Sequence, residues 1–275
     1  MLATYHPRMP TKTFAHMTLA ELGQAARRAV AGWWGIVRLA AQLLEMLLSR
    51  STYSGENWRI LAGHIVQDTA PMLAGFTVLA SLVSLIVIRI VVVTALSYGL
   101  TQYALEMVVR VLVLELIPLG AALFAALRCT VPNAGEVAAL RANGAWAAAL
   151  HEGQDPLRRE VMPRMASGVF GAVLLAAVSC AVTLVLAYLA VYGPVASGLA
   201  AFTRTVGQVF NPAVSLILGL KILFLGVAVA LVPMAAVLGD APLRRRQASA
   251  ELQGLVRMFM VILLIEAASL VGNYY

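Results

Sequence analysis

Five apolar stretches, each close to the length a helix needs to cross a bilayer, constrain this chain more than any other feature. A spanning helix takes about 20 predominantly apolar residues, and the sequence supplies them at Ala70–Leu96, Met107–Leu127, Gly168–Tyr192, Ala213–Leu238 and Leu255–Val271. Water-soluble domains carry roughly one-quarter charged residues. Here only 12% are charged, 61% are apolar and the mean hydropathy is +0.86. Backbone polar groups in lipid must pair within their own segment, so the expected fold is an all-α integral membrane protein.

An odd number of crossings puts the two termini on opposite sides, and the cationic residues indicate which side is which. Before the first span stand Arg8, Lys12, Arg27, Arg28, Arg38, Arg50 and Arg59. Between the second and third stand Arg128, Arg141, Arg158, Arg159 and Arg164, and between the fourth and fifth stand Arg244, Arg245 and Arg246. The opposite connections supply only Arg204. Lys and Arg gather on the cytoplasmic side, which gives a cytoplasmic N-terminus and a periplasmic or external C-terminus in a multi-pass protein. The net charge of +7 is therefore a topology signal, and nucleic acid is not an expected partner. The chain up to Gln67 contains no apolar run followed by a small-residue cleavage site, so nothing is expected to be removed on export.

Residues 1–62 read as an N-terminal cytoplasmic or interfacial region and 63–275 as the membrane domain. Between Phe14 and Arg50, a spacing of about 100° per residue gathers Glu21, Gln24, Arg27, Arg28, Arg38, Gln42, Glu45 and Ser49 on one arc. Leu22, Trp33, Val37, Leu44, Leu47 and Leu48 fall opposite. That pattern describes an amphipathic helix lying in the membrane interface, with a helix packed on another protein as the alternative. The long polar connection Arg128–Arg164 predicts a cytoplasmic helix over about 134–152. Asn133 and Glu136 stand at capping-box spacing, and Gly153 follows as the stop.

Charges within spans normally face a bundle interior, a cavity or one another. Glu106 and Arg110, spaced i,i+4, are expected to pair. Glu115 lies midway along the second span, near the helix-disturbing Pro118, and needs a donor such as Arg89, Arg110 or Lys221. These five residues, Glu115, Pro118, Arg89, Arg110 and Lys221, are the candidates for a substrate cavity. Arg257 and Glu266 are expected to reach toward opposite surfaces. The four histidines are scattered, and His64 with Asp68 lacks further ligands, so no metal site is predicted. Cys129 and Cys180 give no disulfide framework. No GxxxxGK[ST] loop occurs and the only lysines are Lys12 and Lys221, so the chain cannot hydrolyse ATP by that route. Neither catalytic residues nor a cofactor are expected.

The stretch Glu115–Gly168 resembles the MlaE/YrbE permeases, the membrane subunits of MCE-type ABC lipid transporters. Glu115-Leu116-Ile117-Pro118 stands where that family carries Glu-Leu-Gly-Pro. The family's Arg, Glu, Arg and Asp-Pro recur without a gap as Arg128, Glu136, Arg141 and Asp155-Pro156, followed by Pro163, Arg164 and Gly168. Lys221 and Gly226 keep the family's Lys-to-Gly spacing in the fourth span. The departures are Leu114 in place of an Arg, loss of both glycines around Arg128, and an alanine-rich Asn143–Ala149 in place of an acidic segment.

The resemblance implies a permease subunit in the bacterial inner membrane that moves phospholipids or related lipids to or from a periplasmic MCE-domain protein. A separate ABC ATPase would power it, docking on the cytoplasmic coupling helix through Arg128, Glu136, Arg141, Asp155, Pro156 and Arg164. It also implies a second permease copy, as homodimer or heterodimer. The lost acidic segment leaves three explanations open: a different ATPase, a heterodimer whose other permease does the coupling, or a divergent subfamily. Two other functions are compatible with the residues alone: an ion-coupled secondary carrier using Glu115, and a membrane scaffold that transports nothing.

Overall fold

A computed structural model describes residues 30, 32–43, 45, 55–100, 103–239 and 247–274. Ten α-helices are present among them, and no strand. The first, α1, covers 32–43. It is followed by α2 (Gly55–Ser97), α3 (Ala104–Val108), α4 (Ile117–Ala125), α5 (Val131–Ala142), α6 (Ala145–His151), α7 (Met162–Tyr192), α8 (Leu199–Val209), α9 (Pro212–Leu238) and α10 (Gln247–Tyr274). Five helical segments are long and apolar enough to cross a membrane: Ala62–Ser97, Ala104–Ala142, Leu157–Tyr192, Pro212–Leu238 and Gly254–Asn273. All five expected crossings are present, several extended at one end by less apolar helix.

The second crossing, from α3 through α5, is continuous but not uniformly α-helical. Val109–Leu116 and Ala126–Thr130 are π-helical, as is Leu157–Val161 leading into α7. Each π segment is followed, two residues after its end, by a proline: Pro118, Pro132 and Pro163. Within an α-helix a proline ring collides with the carbonyl four residues back and removes one hydrogen bond. Widening the preceding turn relieves that collision and lets the helix continue.

This continuity changes the connection between the second and third crossings. Helix α5 runs on from the second crossing, so Asn133 does not cap a helix start. Its side chain lies inside the helix and donates to Asp68. The single helix expected over 134–152 is two, α5 and α6, hinged at Gly144, whose φ of +82° favours glycine because it has no Cβ.

Packing centres on α7 and α9. Helix α2 lies along α7, α10 lies along α9, and the second crossing packs against both central helices. Ser84 of α2 and Thr183 of α7, both fully buried, hydrogen-bond at 2.9 Å across their interface. Two glycines allow close approaches to α7. A Cβ on Gly168 would come within 2.5 Å of the Thr130 methyl, and one on Gly226 within 3.3 Å of the Val169 carbonyl oxygen. Helices α9 and α10 are antiparallel neighbours, with Gly254 against Ala236 at one end and Gly272 against Ile217 at the other. Asn211 starts α9 as an N-cap, accepting from the Val214 amide at 2.9 Å just before Pro212.

Within α1, Ile36, Leu39 and Leu43 are buried in a cluster with Met258 and Ile262 of α10. Trp33, Trp34 and Val37 are exposed on its other side. So α1 has two apolar faces, one spent on its own bundle and one open. The rest of the amphipathic arc, Glu21, Leu22, Gln24, Arg27, Arg28, Leu44, Leu47, Leu48 and Ser49, lies outside the described residues, as do Arg244, Arg245 and Arg246.

Candidate functional site

Pro118 is where the site begins. Having no N–H, it leaves the Leu114 carbonyl without its α-helical donor and the Val113 carbonyl without its π-helical one. Both are taken by side chains from neighbouring helices. Lys221 Nζ donates to Leu114 O at 3.0 Å, and Cys180 Sγ approaches Val113 O at 3.6 Å. In hydrocarbon a broken helix is tolerated only where such groups satisfy it again.

Lys221 sits on α9, 2% exposed, and donates twice more: to Glu115 Oε2, and to Glu266 Oε1 at 2.9 Å. An ammonium has three protons, and all three are used. Asn273 Nδ2 donates to Glu115 Oε1 at 3.4 Å. The cluster therefore joins the second crossing, α9 and α10 by one cation shared between two carboxylates. Lys221 lies about 13 Å of helix rise from Pro212, so the cluster is inside the crossings, nearer the end at which α10 finishes.

Of the residues expected to surround Glu115, the structure brings Pro118 and Lys221 to it. Arg110 is held instead by Glu106 at 2.9 Å, the pair expected from their spacing. Arg89 faces outward on α2, exposed among Ile86, Ile90 and Val93. The expectation that Glu266 and Arg257 reach toward opposite surfaces does not hold. Glu266 turns inward onto Lys221, while the Arg257 guanidinium lies over Gly32 of α1, where a Cβ would come within 2.2 Å of it.

A second polar cluster escaped the sequence reading. Asp68 Oδ2 accepts from Ser167 Oγ at 2.5 Å, Asn133 Nδ2 at 3.1 Å and Cys129 Sγ at 3.6 Å. It ties α2 to the end of the second crossing and to the start of α7. Asp68 stands just before the first apolar stretch, and its three partners are remote in sequence.

The coupling candidates are mostly braced internally. Arg164 bonds Glu160 at 2.5 Å and Glu136 at 3.4 Å, which joins α7 to α5. Arg141 Nη1 donates to the Val237 carbonyl in the last turn of α9 at 2.5 Å, a favourable place for a cation. Asp155 accepts from the Leu157 amide at 3.1 Å, and Pro156 is buried. Arg128 is exposed beside the exposed Leu127, and α6 has no buried residue. Cys129 and Cys180 are both buried, free thiols. No group of three metal-ligating side chains occurs among the described residues.

These features define a polytopic helical membrane protein with an acid–base cluster in its membrane core. Residues 62–271 match the family model described as Permease MlaE, so the chain belongs to the MlaE permease family, whose members are permease subunits of ABC lipid transporters. No curated protein matches it.

Proposed function

We propose that two copies of this chain form the membrane core of an ABC transporter that moves phospholipids or related lipids between the bacterial inner membrane and a periplasmic MCE-domain protein, driven by a separate ATPase. The observation that carries this reading is the family match over 62–271. The distribution of Lys and Arg supports a cytoplasmic N-terminus and a periplasmic C-terminus. The open apolar face of α1 is suited to the bilayer interface.

Within this reading Glu115, Pro118 and Lys221 form the wall of the lipid cavity. Arg89 and Arg110 lie outside the cluster and take no part in the cavity wall of one protomer. The ATPase docks on the exposed surface of α6 with Leu127 and Arg128. Glu136, Arg141, Asp155, Pro156 and Arg164 hold that surface in position. An alanine-rich α6 would contact its partner through apolar packing where acidic residues would have used charge.

The test is lipid transfer by the complex reconstituted in vesicles. Glu115→Ala is expected to slow ATP-driven transfer of labelled phospholipid at least tenfold, since the mutation leaves Lys221 without one of its two counter-charges. Transfer at the wild-type rate would remove Glu115 from the cavity.

A further inference from the structure

Headgroup recognition by phosphate is the obvious expectation for a buried lysine, yet Lys221 has no proton left to donate. Its three N–H bonds go to Leu114 O, Glu115 Oε2 and Glu266 Oε1. What the cluster still offers is two acceptor oxygens and one hydroxyl that can accept or donate. Glu266 Oε2, Ser269 Oγ and Asn273 Oδ1 are all buried without a hydrogen-bond partner among the described residues. Ser269 is only 7% exposed as a residue.

These three residues are spaced i, i+3 and i+7 on α10, which puts them on one stripe of the helix. The stripe covers about 10 Å of rise, from the carboxylate on Lys221 to the C-terminal end of α10, where Asn273 reaches Glu115. Buried acceptors are normally satisfied, and three orphans on one stripe lack a common donor. With its side chains ionised, the cluster has one cation for two carboxylates, leaving one negative charge uncompensated. A phosphate would meet repulsion there. A group that is positively charged and rich in N–H donors would satisfy both deficits.

We infer that the Glu266–Ser269–Asn273 stripe with Glu115 receives the primary ammonium of an aminophospholipid headgroup, and that Lys221 is a structural pin holding these acceptors rather than a phosphate ligand. This rests on the lipid-permease reading and adds the headgroup class to it. Asn273 at the helix end and Glu266, two turns deeper in α10, mark the two ends of the path the ammonium follows.

The test is lipid competition on the intact complex in nanodiscs containing equal amounts of phosphatidylethanolamine, phosphatidylcholine and phosphatidylglycerol, with retained lipid read by mass spectrometry. Phosphatidylethanolamine should be retained over phosphatidylglycerol by about tenfold or more, the scale of one charge-assisted hydrogen bond. It should also exceed phosphatidylcholine, whose quaternary nitrogen has charge but no N–H. Glu266→Gln should cut the preference. Ser269→Ala, which leaves the Lys221 bonds in place, should cut it as well and stands in if the first variant fails to fold. Equal or greater retention of phosphatidylglycerol overturns the inference. So does retention that ignores headgroup but varies with pH, which would mean that a shared proton fills the site. In either case ATP-driven transfer of lipid would leave the permease reading intact, whereas absence of any transfer would count against that reading itself.

Discussion

Lys221 shows how one residue can be both costly and required. Taking an ammonium into a membrane core is expensive, and its attraction to two carboxylates only offsets that expense when the geometry is good. Here the same proton donors also close the backbone gap at Pro118. Removing one partner of such a network leaves the others buried and unpaired, which costs about 3–5 kcal/mol. The Ser84–Thr183 hydrogen bond is also fully buried, but it is a neutral interhelical bond of a kind that averages about 0.6 kcal/mol in membranes. Lys221→Ala should therefore lower the denaturation midpoint of the purified protein far more than Ser84→Ala. Comparable losses would mean that the cluster contributes no more than ordinary packing.

How much of this could be read at the level of elements depends on whether a signal is local. Span length and apolar content are local, so all five crossings were legible. The Glu106–Arg110 pair was legible for the same reason. Pro118 was read as helix-disturbing, and there, as at Pro132 and Pro163, the chain continues through the proline by widening the turn before it. That is why Asn133 looked like a cap and is instead a donor to Asp68. Glu266 was misread because Lys221 lies 45 residues away on a neighbouring helix, and pairing at that distance leaves no periodic trace. The glycines Gly168 and Gly226 acquired a physical meaning only in the fold, as points where a neighbouring helix packs too close for a larger side chain. Gly226→Val should overpack the α7–α9 contact and cost about 1–3 kcal/mol, measured as a fall in thermal stability in detergent; an unchanged midpoint would show that the contact can yield.

For the whole molecule, the proposed function makes the connection between the second and third crossings a handle on the helices that hold the Lys221 cluster. Arg141 ties that handle to the last turn of α9, and Glu136 with Arg164 ties it to α7, so motion at α6 has a physical route into the helices that hold Glu115 and Lys221. Arg141→Ala should lower lipid-stimulated ATP hydrolysis by the complex several-fold while the helix content measured by circular dichroism stays the same. Full stimulation in that variant would show that α5 does not transmit the coupling. The central claim is that the chain is a permease with an external engine, and the most direct measurement compares lipid transfer by vesicles holding this chain alone with vesicles holding its native assembly, with and without ATP. The account predicts transfer only from the assembly and only with ATP. Gradient-driven transfer by the chain alone, or a native assembly that contains no ATP-hydrolysing subunit, would contradict it.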